Sequence, residues 1–495
     1  MNQRLKKWLL AALAGLLLLG VGQIQRSMNV DRDRLGLTRG PVLENAPPVL
    51  AFTTVALGGF RGLISNMLWI RASELQQDDK FFEMVQLADW ITELEPRFVQ
   101  VWTMQAWNMA YNISVKFKDF NDRWRWVKQG IELLRDKGLR YNPNELLLYR
   151  ELAVFFQHKL GQNLDDANRY YKAAWFAEMS QVFKSGTPDF DELIHPTTPD
   201  AQHRHDLLVN QYKMNPGLIK ELDQRYGPLD WRLPEAHAIY WAALGLKVAE
   251  TNAIRVDPSD IIQLHRVIYQ SMQLAVVHGR VVGNMMDLAP NLDIIPGANT
   301  AYEEAMKEDP ANRDSIAVGH RNFLRDAIYY LYTSNREREA AQWLAYFAKT
   351  YPNERLLDGQ PDSTPANVTL DDYVMGRVEE EVHDTSRDKT RLVLEGAIRS
   401  SYLNLALGED DRAAGFALFA QRVWARYQGK LVGDSQQARA GLESLDSVKK
   451  DVLLQLLDPQ AGLQPELANQ LRTALGMPAP TNTDTTLPSP PDAGK

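Results

Sequence analysis

The sequence predicts an all-α fold, a superhelix of paired and repeating helices set behind an N-terminal membrane helix. Three observations predict it. The stretch "ELEPRFVQVWTMQAWNMAYN" (93–112) ends a helix at Pro96, turns within two residues and restarts with Trp102 followed by Ala106. That is the pattern of a seam between two stacked helical hairpins, because proline cannot continue a helix and small side chains let two helices approach. The same phase returns after Pro143, at Tyr149 and Ala153. The chain also begins with a short basic head followed by an apolar run.

The N-terminal segment, 1–34, is read as a signal anchor. Arg4, Lys6 and Lys7 precede an uncharged run from Trp8 to Gln25, whose strongly apolar part ends at Val21. No A-x-A cleavage site follows, so an uncleaved single span is expected in preference to a removed signal peptide or a buried helix. The short head is the simpler piece to leave in the cytoplasm. The expected placement is therefore the inner (cytoplasmic) membrane, single-pass, with the body extracytoplasmic. A second apolar stretch, 47–70, is interrupted by Gly58, Gly59 and Arg61. An arginine at that depth is costly in hydrocarbon, so this stretch is expected to cover the open end of the helical array.

Residues 35–180 carry the repeat. A 34-residue frame counted back from Pro96 starts at residue 65 and puts Leu68, Ala72 and Leu75 on one helix and Met84, Ala88 and Ile91 on the next. Trp102, Ala106 and Met109 take the first three places in the following unit, and Tyr149, Ala153 and Phe156 in the third, with Ala167, Tyr171 and Ala174 after a two-residue expansion. This resembles the tetratricopeptide repeat, a pattern of large, small and large residues closed by proline. Departures are plain: Met84 stands where a small residue belongs, and the second unit is lengthened around "KFKDFNDRWRW". Weaker matches occur in 311–475, at Leu324, Ala340, Leu344, Phe347 and Pro352 (with Ile328 too large for its place), then at Ser401, Gly408, Ala413 and Ala420.

Between them, 181–310 is expected to be irregular. Prolines at 188, 196, 199, 216, 228 and 234 break the periodicity of 181–234, which predicts a long, partly ordered insertion. Pro234 then opens a helix, and "DPSD" caps a long amphipathic one from Ile261 to about Val282. The Pro-, Thr- and Ser-rich 476–495 is expected to be disordered.

Composition excludes several functions. The 495 residues contain no cysteine, which removes disulfides, thiolate metal sites and a cysteine nucleophile. Residues 1–34 stand at +4, leaving −12 on the rest of a chain of net −8. An acidic body without a basic stripe is a poor partner for phosphate backbones, so no nucleic acid is expected. No P-loop, dinucleotide fingerprint, H-E-x-x-H or G-x-S-x-G occurs, and no catalytic residue, metal or cofactor is assigned. His195, Asp200, His203, His205 and Asp206 form one cluster with metal-ligand chemistry, but such a loop is more often solvated.

A binding groove is the functional expectation. In tetratricopeptide proteins the first helix of each unit lines a concave surface. Carried onto these units, the resemblance implies a lining of Asn66, Trp69 and Gln76, with Ser73 and Gln77 beside them, then Gln100, Thr103, Trp107 and Tyr111, then Arg150, Gln157 and His158. Amides, aromatics and an arginine suit an extended peptide, while Trp107 and Tyr111 also have the character of packing between units. The expected function is a membrane-anchored scaffold that binds a protein or peptide partner in the cell envelope, as in a transport or secretion assembly. Its rivals are an all-helical toroid enzyme acting on envelope polysaccharide and a purely structural complex subunit.

Overall fold

A computed structural model describes residues 60–78, 80–251, 257–281, 288–382, 387–431, 441–459 and 462–478, with scattered residues between 17 and 31. The protein is all-α: among the described residues the only strands are Arg280–Val281 and Leu288–Ala289, an antiparallel pair. Two compact units are present. One comprises Met1–Ala174, Asn210–Met214 and His237–Val267, and the other Trp175–Val209, Asn215–Ala236 and Ile268–Lys495.

In the first unit, α1 (Phe60–Gln77) folds back on α2 (Phe81–Leu94), which packs on α3 (Val99–Trp107). Next come α4 (Phe120–Glu132) and α5 (Leu146–Val154), both packed on α3. Asp119 caps α4 by accepting from the backbone N–H groups of Asn121 and Asp122. The small residues lie in the seams: Ala72, Ala106 and Ala153 are each 0% exposed. Met84, despite its size, is also fully buried, because Ala72 leaves room for it within a cluster completed by Leu75 and Leu87. Ala88, Ile91 and Val101 form the next cluster, roofed by Leu68, Trp69, Phe98 and Met104.

The prolines have a second role. Trp102 Nε1 donates to the Pro96 carbonyl at 2.8 Å, and Tyr149 Oη donates to the Pro143 carbonyl at 2.8 Å. The same aromatic-to-proline hydrogen bond thus closes two successive turns. Asn142 Nδ2 adds a second donor to Pro96 O at 2.8 Å, and Trp102 stacks on Tyr141. Gly130 on α4 allows a close approach to α3, since a Cβ there would lie 2.8 Å from Ala106 O.

In the second unit, "181–234" is not the irregular insertion that its prolines predict. It holds α6, α7 and α8 (Phe190–Ile194, Pro199–Asp206 and Pro216–Tyr226) after the end of a helix running Asn168–Phe183. The prolines open helices here: Pro199 and Pro216 stand at first-turn positions, behind Thr198 and Asn215 caps. Beside the buried Leu193, Ala201 and Leu208, Arg204 is 4% exposed and pairs with Glu192 at 2.5 Å and Asp200 at 3.0 Å. Asp223 Oδ1 accepts from Leu229 N–H and Trp231 Nε1–H, both at 2.9 Å, and its burial raises its pKa.

Further along the same unit, α9 (Ile295–Glu308) packs on α10 (Arg313–Thr333), which packs on α11 (Glu337–Thr350). Later, α12 (Arg387–Ala406) and α13 (Asp410–Lys430) form a long hairpin turned at Gly408, whose φ of +75° suits glycine. Ile328, oversized for its repeat position, is fully buried with Leu324, Ala340 and Phe347. His320 on α10 is 0% exposed, with Nε2 2.7 Å from Asn299 Oδ1 and Nδ1 2.8 Å from Tyr351 Oη. An amide oxygen only accepts, so Nε2 carries the proton and Tyr351 donates to Nδ1.

The single-pass inner-membrane placement does not hold. Among the described residues no helix is long and apolar enough to cross a membrane. The run Trp8–Val21 would extend about 21 Å as a helix, short of the roughly 30 Å of hydrocarbon. Most of that run, the apolar residues 47–59 and the tail from 479 lie outside the described residues.

Two outcomes follow from this packing. Gly130→Ala and Ala106→Leu each overfill the α3–α4 seam and are expected to lower stability by about 1–3 kcal/mol in urea melts. A loss within error for both would mean the seam is not close-packed. Burial holds the His320 pKa down to about 4 against its ordinary 6.5. A depressed imidazole contributes stability above the unfolded value, and that stability is lost as pH falls from 6.5 towards 4. The loss is about 3 kcal/mol at most, and melts of wild type and His320→Leu between pH 7.5 and 4.5 should converge on acidification.

Candidate functional site

The helices that open the second and third repeat units end in the same way. α3 runs into a π turn at Asn108–Ile113, and the Leu146–Val154 helix into one at Phe155–Leu160. A π turn inserts one residue into the helical ladder and rotates the side chains beyond it, and such turns collect at functional sites. Tyr111 sits on one and His158 on the other, and the two meet with Oη 3.1 Å from Nδ1.

Protonation fixes the direction of that bond. Burial, then the charge of Lys159, holds the His158 pKa below its usual value, so the ring is neutral near pH 7. Burial, reinforced by Glu151 and Asp165, raises the Tyr111 pKa and keeps the phenol protonated. Tyr111 therefore donates to Nδ1, and His158 Nε2–H is left as a donor. Trp107 stacks on Tyr111 with centroids 5.1 Å apart and planes at 21°, while Phe155 meets Tyr111 edge-on at 5.7 Å. Trp107 keeps 44% of its surface exposed, and Tyr111 and His158 beside it in this ladder are half-buried.

Lys159 supports the ladder from beneath. Its ammonium lies 5.0 Å from the Tyr111 ring centre and 5.3 Å from that of Tyr171, and it pairs with Asp165 at 2.7 Å. The side chain is 3% exposed, and burial lowers its pKa while Asp165 opposes the shift. Such a buried ion pair places the rings more than it stabilises the fold.

No family model, curated protein or solved structure matches the chain.

The remaining expected residues divide into three groups. Asn66 and Gln100 are exposed, and Gln76, Thr103 and Trp69 half-buried; Thr103 Oγ1 donates to Gln100 O at 3.0 Å and Trp69 tilts on Phe98 at 5.3 Å. Arg150 is half-buried and bound to its neighbour Glu151 at 2.8 Å. Gln157 is corrected: it is 6% exposed and donates to Val267 O at 3.2 Å, so the π turn rotates it into the core. Lys159, Asp165 and the buried Asn108, which donates to Phe81 O at 3.3 Å, belong to the site and have no signature in the repeat pattern.

The histidine cluster of 195–206 is not a loop. His203, His205 and Asp206 ride on the helix Pro199–Asp206, His205 Nδ1 lies 2.7 Å from Leu193 O, and Asp200 is taken by Lys184 and Arg204. Among the described residues, no group of three or more histidine or acidic side chains is placed to hold a metal.

Tyr111→Phe removes a donor to the neutral His158 ring, while burial and Lys159 remain. The His158 pKa should then rise and stay below its ordinary value, read from the imidazole C2–H shift in an NMR titration, with a stability loss of about 1 kcal/mol. An unmoved titration would show that the hydrogen bond does not hold the neutral ring.

Proposed function

We propose that the protein is a tetratricopeptide-like helical scaffold that binds an extended peptide segment of a protein partner along the face bearing Trp107, Tyr111 and His158. The observation that carries the reading is the half-exposed Trp107, stacked on a Tyr111 whose position is held by His158 and Lys159. A rigid aromatic that needs no ordering on binding is the usual anchor of a peptide interface. His158 Nε2–H, with the amide of exposed Gln100, supplies hydrogen bonds that a peptide backbone accepts and donates. The buried alanines support the repeat reading: Ala72, Ala106 and Ala153, which share one repeat position, are all out of water.

Changing Trp107 and Gln100 to alanine together is expected to reduce partner recovery in a crosslinking pull-down with no drop in melting temperature. Loss of a hot-spot tryptophan alone weakens binding by about 2 kcal/mol, or roughly 30-fold. The same partners recovered in the same amounts would refute this face as the binding surface.

A further inference from the structure

A different part of the first unit forms an open cleft of about 900 Å³. The π turn Leu133–Gly138 and the helical turn Leu139–Tyr141 supply Glu132, Arg135, Asp136, Leu139 and Arg140, while Tyr149 and Trp241 form its wall and Asn210, Gln211 and Lys213 close it. The volume lies in the range of small-molecule sites.

The charges of this cleft do not cancel. Arg135 gives Asp136 two hydrogen bonds, at 2.7 and 2.8 Å, from a side chain only 5% exposed, and its guanidinium faces the Tyr212 ring at 5.9 Å. That pair is internally neutral. Arg140 and Lys213 are both exposed, and among the described residues neither has a carboxylate partner; Glu132 alone opposes them.

Lys213 is held in an unusual way. Its φ is +56°, the left-handed region that L residues other than Asn and Asp rarely occupy. Its neighbours Tyr212 and Met214 are 5% and 2% exposed. Burying both neighbours turns the backbone over at Lys213 and sends its side chain out to the cleft rim. Retaining lysine, where glycine would fit without strain, is the kind of outlier that marks a ligand clamp.

We propose that this cleft is a second binding site, for a small organic anion in which a phosphate or carboxylate group is carried on a flat apolar body. Arg140 and Lys213 receive the anionic group, the Asn210 and Gln211 amides hydrogen-bond around it, and the flat body lies along Leu139, Leu244 and the edges of Tyr149 and Trp241. Asp136 keeps Arg135 directed into the wall, so that cation orders the pocket and does not compete for the ligand. This site is separate from the aromatic ladder, and its failure would leave the peptide-binding reading standing.

Isothermal calorimetry on the full chain tests it, with phenyl phosphate, benzoate and inorganic phosphate as probes. Phenyl phosphate or benzoate should bind with one-to-one stoichiometry and more tightly than inorganic phosphate, and whichever of the two binds more tightly identifies the anionic group. Arg140→Gln and Lys213→Gln should each weaken binding by at least about fivefold, as loss of a charge-assisted hydrogen bond does, and the double variant should bind neither. Lys213→Gly separates charge from folding: it relieves the left-handed backbone, so the melting temperature should hold or rise while affinity falls. Equal affinity in wild type and the double variant would overturn the proposal, as would inorganic phosphate binding as tightly as both aromatic probes.

Discussion

The first unit depends on a hydrogen bond from an aromatic side chain to the carbonyl of a helix-ending proline. A proline ends a helix because it has no N–H to donate, but its own carbonyl, left at a tight and half-buried turn, must find a donor. Trp102 and Tyr149 provide it, each six residues beyond its proline. The same aromatics then occupy the large positions of the next helix, with Ala106 and Ala153 four residues on, fully buried. Turn and seam are thereby set by one side chain, and the register of each hairpin follows from the turn before it.

That register places the polar machinery. α3 and the Leu146–Val154 helix begin in phase, and both break into π turns after about the same number of residues. Tyr111 and His158 meet because the two interruptions lie side by side. Burying a lysine beside them is costly unless the ammonium is paired, and Asp165 with two aromatic faces meets that cost. Trp107 rests on this arrangement without being enclosed by it, which keeps one face of the indole in water.

How far the sequence was legible varies with the length scale of the interaction. The helices and the buried phase of Ala72, Ala106 and Ala153 were readable, because helix approach demands small residues at fixed spacing. Trp107, Tyr111 and His158 stood among the expected lining residues, but their meeting is a product of the two π turns. Gln157 was misplaced because a π turn rotates the residues beyond it, and no residue type announces such a turn. Lys159 was missed because its partner Asp165 lies six residues away across a turn, outside any periodic position. The 181–234 segment misled for another reason: proline both breaks helices and begins them, and only caps such as Thr198 and Asn215 tell the two uses apart. The apolar run at the N-terminus matched a membrane span in composition and fell short of it in length.

The Pro96 oxygen carries more than its own turn. It takes Trp102 from one side and Asn142 from the other, at 2.8 Å each, although those donors stand six and 46 residues along the chain. One acceptor therefore pins consecutive corners of the stack together, whatever polypeptide runs between them. The stretch that lengthens the second unit, 116–126, lies between those two donors, and most of it is ordered helix: Asp119 caps α4 and Trp124 is buried within it. Extra length in this unit is therefore absorbed as an added helical turn and a short link at 117–119, while the shared oxygen keeps the two corners in place.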